Sequence, residues 1–414
     1  MMPHSTTLQA RWVFPVARPP IENGLVEIAD GRIVSVRSAD RFAALPDEID
    51  SLALIPGLVN THTHLEFSDL RTPLPVHSTF AEWIRLIVGH RRTRGEYPTA
   101  AVQDGLRESA ASGVTTLGEI ATLGWSADCF GSGTPRTIAF REAISLSGQN
   151  TELTATINEH LASLREHPSV IGGVSPHAPY SVHPEFFRRL VSLAAEARAP
   201  LAVHLAESRD ELQLLDSGTG ALVDLFSESG FWKPDAIPHG TRPLHYLQMI
   251  AELPRAMVIH GNYLSDEECA FLRNRPNLSV VYCPRTHAHF GHEPHPWLKL
   301  RAQGIRVALG TDSRASNPDL SLWNELLFLR SKFPQVPPQD LLEMGTRAGA
   351  AALGLDHVTG TLTPGLSADV TAIRLADMSR SDPHEALLQP QSRPVATLRG
   401  GTWIAGSPDS LADV

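Results

Sequence analysis

Two histidines one residue apart, His62 and His64, close an apolar run in the stretch Pro56-Gly57-Leu58-Val59-Asn60-Thr61-His62-Thr63-His64-Leu65. In extended backbone the side chains alternate faces, so both imidazoles point the same way. Two imidazoles on one side of a strand end are half of a metal site; the competing reading is a pair of polar residues facing water. Other apolar runs end in the same manner. His177 lies in Ser175-Pro176-His177-Ala178-Pro179-Tyr180, and His204 and Glu207 in Val203-His204-Leu205-Ala206-Glu207. His260 lies in Val258-Ile259-His260-Gly261-Asn262, and Asp312 in Ala308-Leu309-Gly310-Thr311-Asp312-Ser313. Singly, His177 reads as a turn residue, His260 as a satisfied core histidine and Asp312 as a helix N-cap. Together, at the same position on five runs, they read as one site.

The chemistry of that set is coherent. His62, His64, His204 and Asp312 make an N3O donor set suited to one divalent ion, Zn²⁺ or Fe²⁺. A bound water would make the ion five-coordinate, so Asp312 is expected to be a weak ligand that doubles as a base. Such an ion lowers the pKa of its water from ~15.7 toward ~7, giving hydroxide at neutral pH. Glu207, three residues past His204, is placed to carry a proton from that water to a leaving amine. His260 is expected to orient the hydroxide or to stabilise charge on the attacked carbon's substituent. Glu66, just after the histidine pair, could bind an amidine edge or be a solvated loop acid. Ser313, beside Asp312, is a further candidate contact. The run 283–295 carries Arg285 and the four histidines His287, His289, His292 and His295. Without His-x3-His spacing or a partnering cysteine, a second metal there is disfavoured. Arg285 or His287 is instead expected to face the substrate, with the other histidines solvated.

The elements that must position these groups follow from the apolar pattern. Eight β-branched runs recur at Leu52–Thr61, Val114–Ile120, Thr137–Ala143, Val170–Ser175, Leu201–Leu205, Ala256–Ile259, Leu278–Cys283 and Ile305–Leu309. Between them lie helical patterns, among them Thr79–Arg92, Pro98–Ser112, Pro184–Arg198, Asp266–Arg275, Leu320–Phe333 and Pro338–Leu353. Eight strands alternating with helices predict a (β/α)8 barrel over 56–359, whose active site lies where the strands' carboxyl ends converge. No Gly-rich phosphate turn follows any run, which weighs against an open doubly wound sheet. Both ends of the chain, 1–55 and 360–414, read as short turn-bounded strands that meet in one small composite β-sandwich domain. The segment 208–254 is long for a connection, and is either a lid over the site or a decorative insertion.

Composition bounds the partners. Of 414 residues, 35 are Lys or Arg and 45 Asp or Glu, a formal charge of −10 that argues against a nucleic-acid or anionic-membrane surface. Three widely spaced cysteines form no disulfide framework, and neither a signal peptide nor a run of the ~18 apolar residues of a membrane span is seen. A cytoplasmic protein acting on a small molecule is expected, with assembly into a homo-oligomer left open.

At this point the motifs resemble a known family. PGLVNTHTH, SPHAPYS, HLAES, HGNYL and GTDSRASN run in the order found in the amidohydrolase superfamily, in its cytosine deaminase, S-adenosylhomocysteine deaminase and s-triazine chlorohydrolase branch. The resemblance implies one metal on His62, His64, His204 and Asp312, catalytic roles for Glu207 and His260, and His177 against the substrate. Binuclear relatives bridge two metals through a carbamylated lysine on strand four; Lys233, Lys299 and Lys332, the three lysines of this chain, lie elsewhere. A Pro-x-Ser-Asn loop of the nucleoside branch is replaced here by Pro284-Arg285-Thr286-His287. HTHLEFS and YCPRTH look similar to aminodeoxyfutalosine deaminase-like proteins. The expected activity is hydrolytic deamination of an amino-substituted N-heterocycle, an adenosine- or aminodeoxyfutalosine-type nucleoside. The alternatives are release of chloride from a triazine or an amine from an amide on the same barrel, or a metal-bound scaffold without catalysis.

Overall fold

A computed structural model describes residues 5–39, 46–76 and 79–407. The chain opens with β1 (Ser5–Val13), β2 (Ile21–Ala29), β3 (Arg32–Ser38) and β4 (Leu52–Pro56). Eight strands then alternate with helices: β5 (Leu58–Thr63), β6 (Val114–Ala121), β7 (Arg136–Ala143), β8 (Val170–Pro176), β9 (Leu201–Leu205), β10 (Ala256–His260), β11 (Leu278–Tyr282) and β12 (Arg306–Leu309). The last are β13 (Val370–Arg374), β14 (Arg393–Arg399) and β15 (Thr402–Ala405). Among the described residues, no helix is long and apolar enough to cross a membrane.

β5 to β12 pair in chain order as a parallel eight-stranded sheet. The sheet is a (β/α)8 barrel, and its seam joins β5 to the end of β12. There Thr63 bridges Asp312, the Thr61 hydroxyl donates to the Leu309 carbonyl at 2.8 Å, and the Asp312 amide donates to the His62 carbonyl at 3.0 Å. The stretch that carries the histidine pair therefore also closes the barrel. Along β10, Met257 and Ile259 join the interior cluster while Ala256 and Val258 pack toward the helices. Alternation would send His260 to the helix side, but its φ of 67° breaks the extended path and the side chain lines the central cavity.

Strands from both ends of the chain form a second, mixed sheet in the order β15-β14-β13-β4-β1-β2-β3. The run Leu52–Thr61, expected as one strand, is divided between the two sheets. Leu52–Pro56 pairs with β1 and β13, whereas Leu58 onward enters the barrel. The switch falls at Gly57, where a Cβ would lie 2.2 Å from the Thr115 side chain, so the close approach needs glycine. Pro338–Leu353 likewise divides into two helices, Pro338–Met344 and Arg347–Leu353, and the freed Gly345 carbonyl accepts from the Val59 amide at 2.9 Å.

The two sheets are tied together at Asp369. Its carboxylate is 1% exposed and accepts from Arg136 of β7 at 2.7 Å, the Ser367 hydroxyl at 2.7 Å and the Gly400 amide at 2.8 Å. Removing one partner of a buried ion pair leaves the other charge uncompensated, at a cost of about 3–5 kcal/mol. Asp369→Ala is therefore expected to lower the free energy of unfolding measured by urea titration by that amount, with Asp369→Asn falling between; equal free energies for wild type and Asp369→Ala would show that the tie carries no stability.

Candidate metal centre and active-site cavity

The carboxyl ends of β5, β9 and β12 bring four donor atoms together. His64 Nε2 and His204 Nε2 lie 3.4 Å apart, and Asp312 Oδ1 lies 3.5 Å from His62 Nε2 and 3.7 Å from His64 Nε2. Donors about 2.1 Å from a shared tetrahedral centre stand about 3.4 Å from each other, so the spacing fits one ion. His62, His64 and His204 form the metal-binding group found among the described residues. His62 Nε2 is buried without a hydrogen-bond partner, although buried ring nitrogens are ordinarily paired. A cation satisfies that lone pair; a nonpolar packing role does not.

The surrounding shell fixes the lone pairs. His204 Nδ1 donates to the His177 carbonyl at 3.0 Å, which leaves Nε2 as the acceptor atom facing the centre. The Ser316 hydroxyl donates to Asp312 Oδ2 at 2.8 Å, leaving Oδ1 toward the histidines. Burial holds His64, His204 and His260 well below the ordinary imidazole range, so all three are neutral. Two buried carboxyls pin the strand ends. Glu119 takes the Thr63 hydroxyl at 2.6 Å and the Leu65 amide at 3.1 Å; Glu211 takes the Ala206 amide at 3.0 Å and the Glu207 amide at 2.8 Å. Ala206, His260 and Asp312 all adopt left-handed backbone, at φ of 54°, 67° and 59°. Such residues cost about 1–3 kcal/mol each and persist where the surroundings over-determine them.

Glu207 and His260 face each other beside this cage, Oε1 to Nε2, at 3.3 Å. Burial, with Asp312 and Glu211 adding like charge, pushes the Glu207 carboxyl well above the usual range. Burial thus favours the protonated form of Glu207 beside a neutral imidazole. Behind it, His295 Nε2 donates to the His260 carbonyl at 2.8 Å while its Nδ1 accepts from the Trp297 amide at 2.9 Å. The ring is stacked on Tyr282 at 4.1 Å. His295 is thus a buried support for the strained His260 backbone, where the sequence reading had it solvated.

A cavity of about 630 Å³ opens from the cage. Its inner end is made by His64, His177, His204, Glu207, His260, Asp312 and Ser313; its outer wall comes from the helix Phe80–Arg94 and from Leu225, Phe226 and Phe231. Part of the 208–254 segment therefore covers the site. An N3O donor set beside a carboxyl pushed up by burial, at the top of a barrel, is suited to hydrolysis.

Comparison with known proteins agrees with that geometry. The amidohydrolase family model matches residues 53–404. The chain belongs to the amidohydrolase family. A 5-methylthioadenosine/S-adenosylhomocysteine deaminase of Nitratidesulfovibrio vulgaris is 29% identical over 87% of this chain and 81% of its own length. The aminodeoxyfutalosine deaminase of Deinococcus radiodurans is 28% identical over 78% of this chain and 81% of its own. A zinc-bound adenosine deaminase structure from Xanthomonas campestris shares the fold, with a TM-score of 0.76 and 22% identity over 98% of this chain and 95% of that one. Family membership makes this chain a hydrolase of a metal-dependent class.

Within this amidohydrolase, three expected substrate contacts lie away from the cavity. Glu66 is buried beneath the site, where Arg91 and Arg94 each approach its carboxylate to 2.6 Å and the Thr122 hydroxyl donates at 3.0 Å. Arg285 is held by Asp319 at 2.6 Å and Glu325 at 2.8 Å, so its guanidinium braces the loop after β11 against the helix Leu322–Lys332. His287 donates to the Glu293 carbonyl at 2.9 Å and packs beside His292 and His295 behind His260. In their place the structure brings Glu142, at the end of β7, to the cavity wall. Its carboxyl is pushed up to about 7, chiefly by burial. A lone acid between Arg141 and Ala143 carries no motif, and only its strand-end position could have marked it.

The donor assignment predicts a stoichiometry. Elemental analysis of purified protein is expected to find about one divalent ion per chain, lost in His204→Ala and Asp312→Ala and retained in His287→Ala and His292→Ala, because one closed site accounts for the coordination. Loss in the latter two with retention in the former would place the ion in the loop after β11 instead.

Proposed function

We propose that this amidohydrolase is a hydrolytic deaminase of a 6-aminopurine nucleoside-type compound, with one zinc ion on His62, His64, His204 and Asp312. The observation that supports it most is the Glu207–His260 pair, a proton donor held 3.3 Å from a neutral imidazole at the edge of the donor cage. Protonating a ring nitrogen while an amine departs calls for such a group, and the named relatives act on adenosine derivatives.

A divalent ion in this cage supplies Lewis acidity that brings the pKa of a water from ~15.7 toward ~7. The chain's own residues do the rest. The ring lies in the inner cavity against His177, whose Nδ1 is fixed by the Ser181 hydroxyl at 2.6 Å. His260 Nε2–H bonds Glu207 Oε1, which leaves Oε2 to deliver its proton to the ring nitrogen next to the amine-bearing carbon. Asp312 Oδ1 accepts a proton from the attacking water, and Ser316 keeps Oδ2 occupied. A carbon–oxygen bond forms; the new hydroxyl's proton passes through Glu207 Oε2 to the amine, the carbon–nitrogen bond breaks and ammonia leaves as the carbonyl forms, and the proton held on Asp312 then returns to Glu207, so both carboxyls end as they began. Burial of Glu207 is what keeps it acidic enough in form to act at neutral pH.

Ammonia release from a panel of purines, pyrimidines, triazines and acyclic amides tests the reading. Turnover is expected on aminopurine nucleosides; turnover confined to amides, or chloride release from chlorotriazines without ammonia from purines, would overturn it. Glu207→Gln is expected to lower kcat by at least the ~100-fold typical of a lost acid–base group while metal content stays unchanged. Chelation is expected to abolish activity and Zn²⁺ to restore it; undiminished turnover in metal-free protein would contradict the assignment.

A further inference from the structure

The outer half of the cavity differs chemically from the inner half. Along the helix Phe80–Arg94, Phe80, Ile84, Ile87 and Val88 recur at helical spacing and line one wall. Leu225 and Phe226 line the opposite wall. Ile144, two residues beyond Glu142, completes a chamber that begins where the metal cage ends. Val88 and Ile144 are 36% and 39% exposed, and both line the cavity.

The charged groups around this chamber are engaged elsewhere or face bulk water. Arg91 is held by Glu66 at 2.6 Å, and Arg85 bridges the mouth to Glu228 at 2.7 Å. Arg92 is exposed at the rim. A zwitterionic tail would find no free pair of opposite charges inside. Glu142 is the exception at the inner edge. Among the described residues its carboxyl has no hydrogen-bond partner, yet it lines the cavity between the cage and Ile144. A half-buried carboxyl with the Arg91 and Arg141 charges nearby but no hydrogen-bond donor has room for donors, and a pair of hydroxyls supplies two.

Resting on the deaminase reading above, we infer that the enzyme selects nucleosides whose sugar carries an apolar 5′ substituent, which fills the outer chamber, while Glu142 accepts hydrogen bonds from the 2′ and 3′ hydroxyls. The heterocycle lies at the cage, the sugar at Glu142, and the substituent between the helix Phe80–Arg94 and Phe226.

The test is kcat/KM for ammonia release along a series: 5′-deoxyadenosine, 5′-methylthioadenosine, its 5′-ethylthio and 5′-butylthio homologues, adenosine and S-adenosylhomocysteine. Each added methylene is expected to raise kcat/KM by up to about fourfold, the equivalent of about 0.8 kcal/mol of buried apolar surface. Adenosine and S-adenosylhomocysteine are each expected to fall at least about tenfold below the butylthio compound, since a hydroxyl or a zwitterion must give up water in an apolar chamber. Ile144→Asp should flatten the slope. Wild type is expected to prefer adenosine to 2′,3′-dideoxyadenosine by at least about tenfold, and Glu142→Ala to lose that preference, because two hydrogen bonds to the carboxyl at about 1 kcal/mol each amount to roughly thirtyfold. A flat or inverted slope, or a preference for S-adenosylhomocysteine, would overturn the inference while leaving deamination intact. No ammonia from any nucleoside, with turnover of a triazine or an amide, would overturn both.

Discussion

Four candidate donor atoms from three strand ends converge in a buried pocket at spacings that suit one ion, and one of them, His62 Nε2, has no hydrogen-bond partner. That convergence is the constraint on which the rest of the structure depends. Like-natured lone pairs at 3.4–3.7 Å repel unless a cation or proton lies between them, so the fold must hold them there at a cost. It does so with the barrel seam itself. The hydrogen bonds from Thr61 and Asp312 that close β5 onto the end of β12 also fix the histidine pair against the carboxylate. Left-handed backbone at Ala206, His260 and Asp312 turns side chains inward that a regular strand would direct elsewhere. Glu211 and His295 accept and donate the bonds that keep the turns at Ala206 and His260 in place, and Glu119 ties Thr63 and Leu65 on either side of His64.

One physical cause, burial, sets both halves of the chemistry. It holds the His64, His204 and His260 imidazoles down, leaving their lone pairs free, and it pushes the Glu207 carboxyl up, which favours the proton-bearing form that the proposed mechanism uses. An open, wet cleft would do neither. The covering helices that create the burial, Phe80–Arg94 and the segment around Phe226, are also the walls of the substrate cavity. Under the proposed function, desolvation for catalysis and selection of the substrate's outer part would come from the same side chains.

The sequence is most legible where a local rule sets geometry. Alternation along a strand puts His62 and His64 on one side, and the recurrence of polar residues after apolar runs points to one barrel face. Long-range partners are what it hides. Arg285 looked free to meet a substrate because Asp319 and Glu325 lie 34 and 40 residues away, and Glu66 because Arg91 and Arg94 arrive a helix later. Leu52–Thr61 read as one strand because hydrophobicity continues across Gly57, although the chain changes sheets there. His295 read as solvated because nothing nearby in the chain shows that the loop after β11 folds beneath His260. Glu142 is invisible to pattern, since its role rests on which walls meet around it.

The binding of one ion by these four atoms is open to anomalous diffraction from crystals of active protein, measured on both sides of the zinc absorption edge. A single strong edge-dependent peak is expected within bonding distance of His62, His64 and His204 Nε2 and of Asp312 Oδ1. A peak among His287, His292 and His295, or no peak in crystals whose dissolved protein releases ammonia, would contradict it.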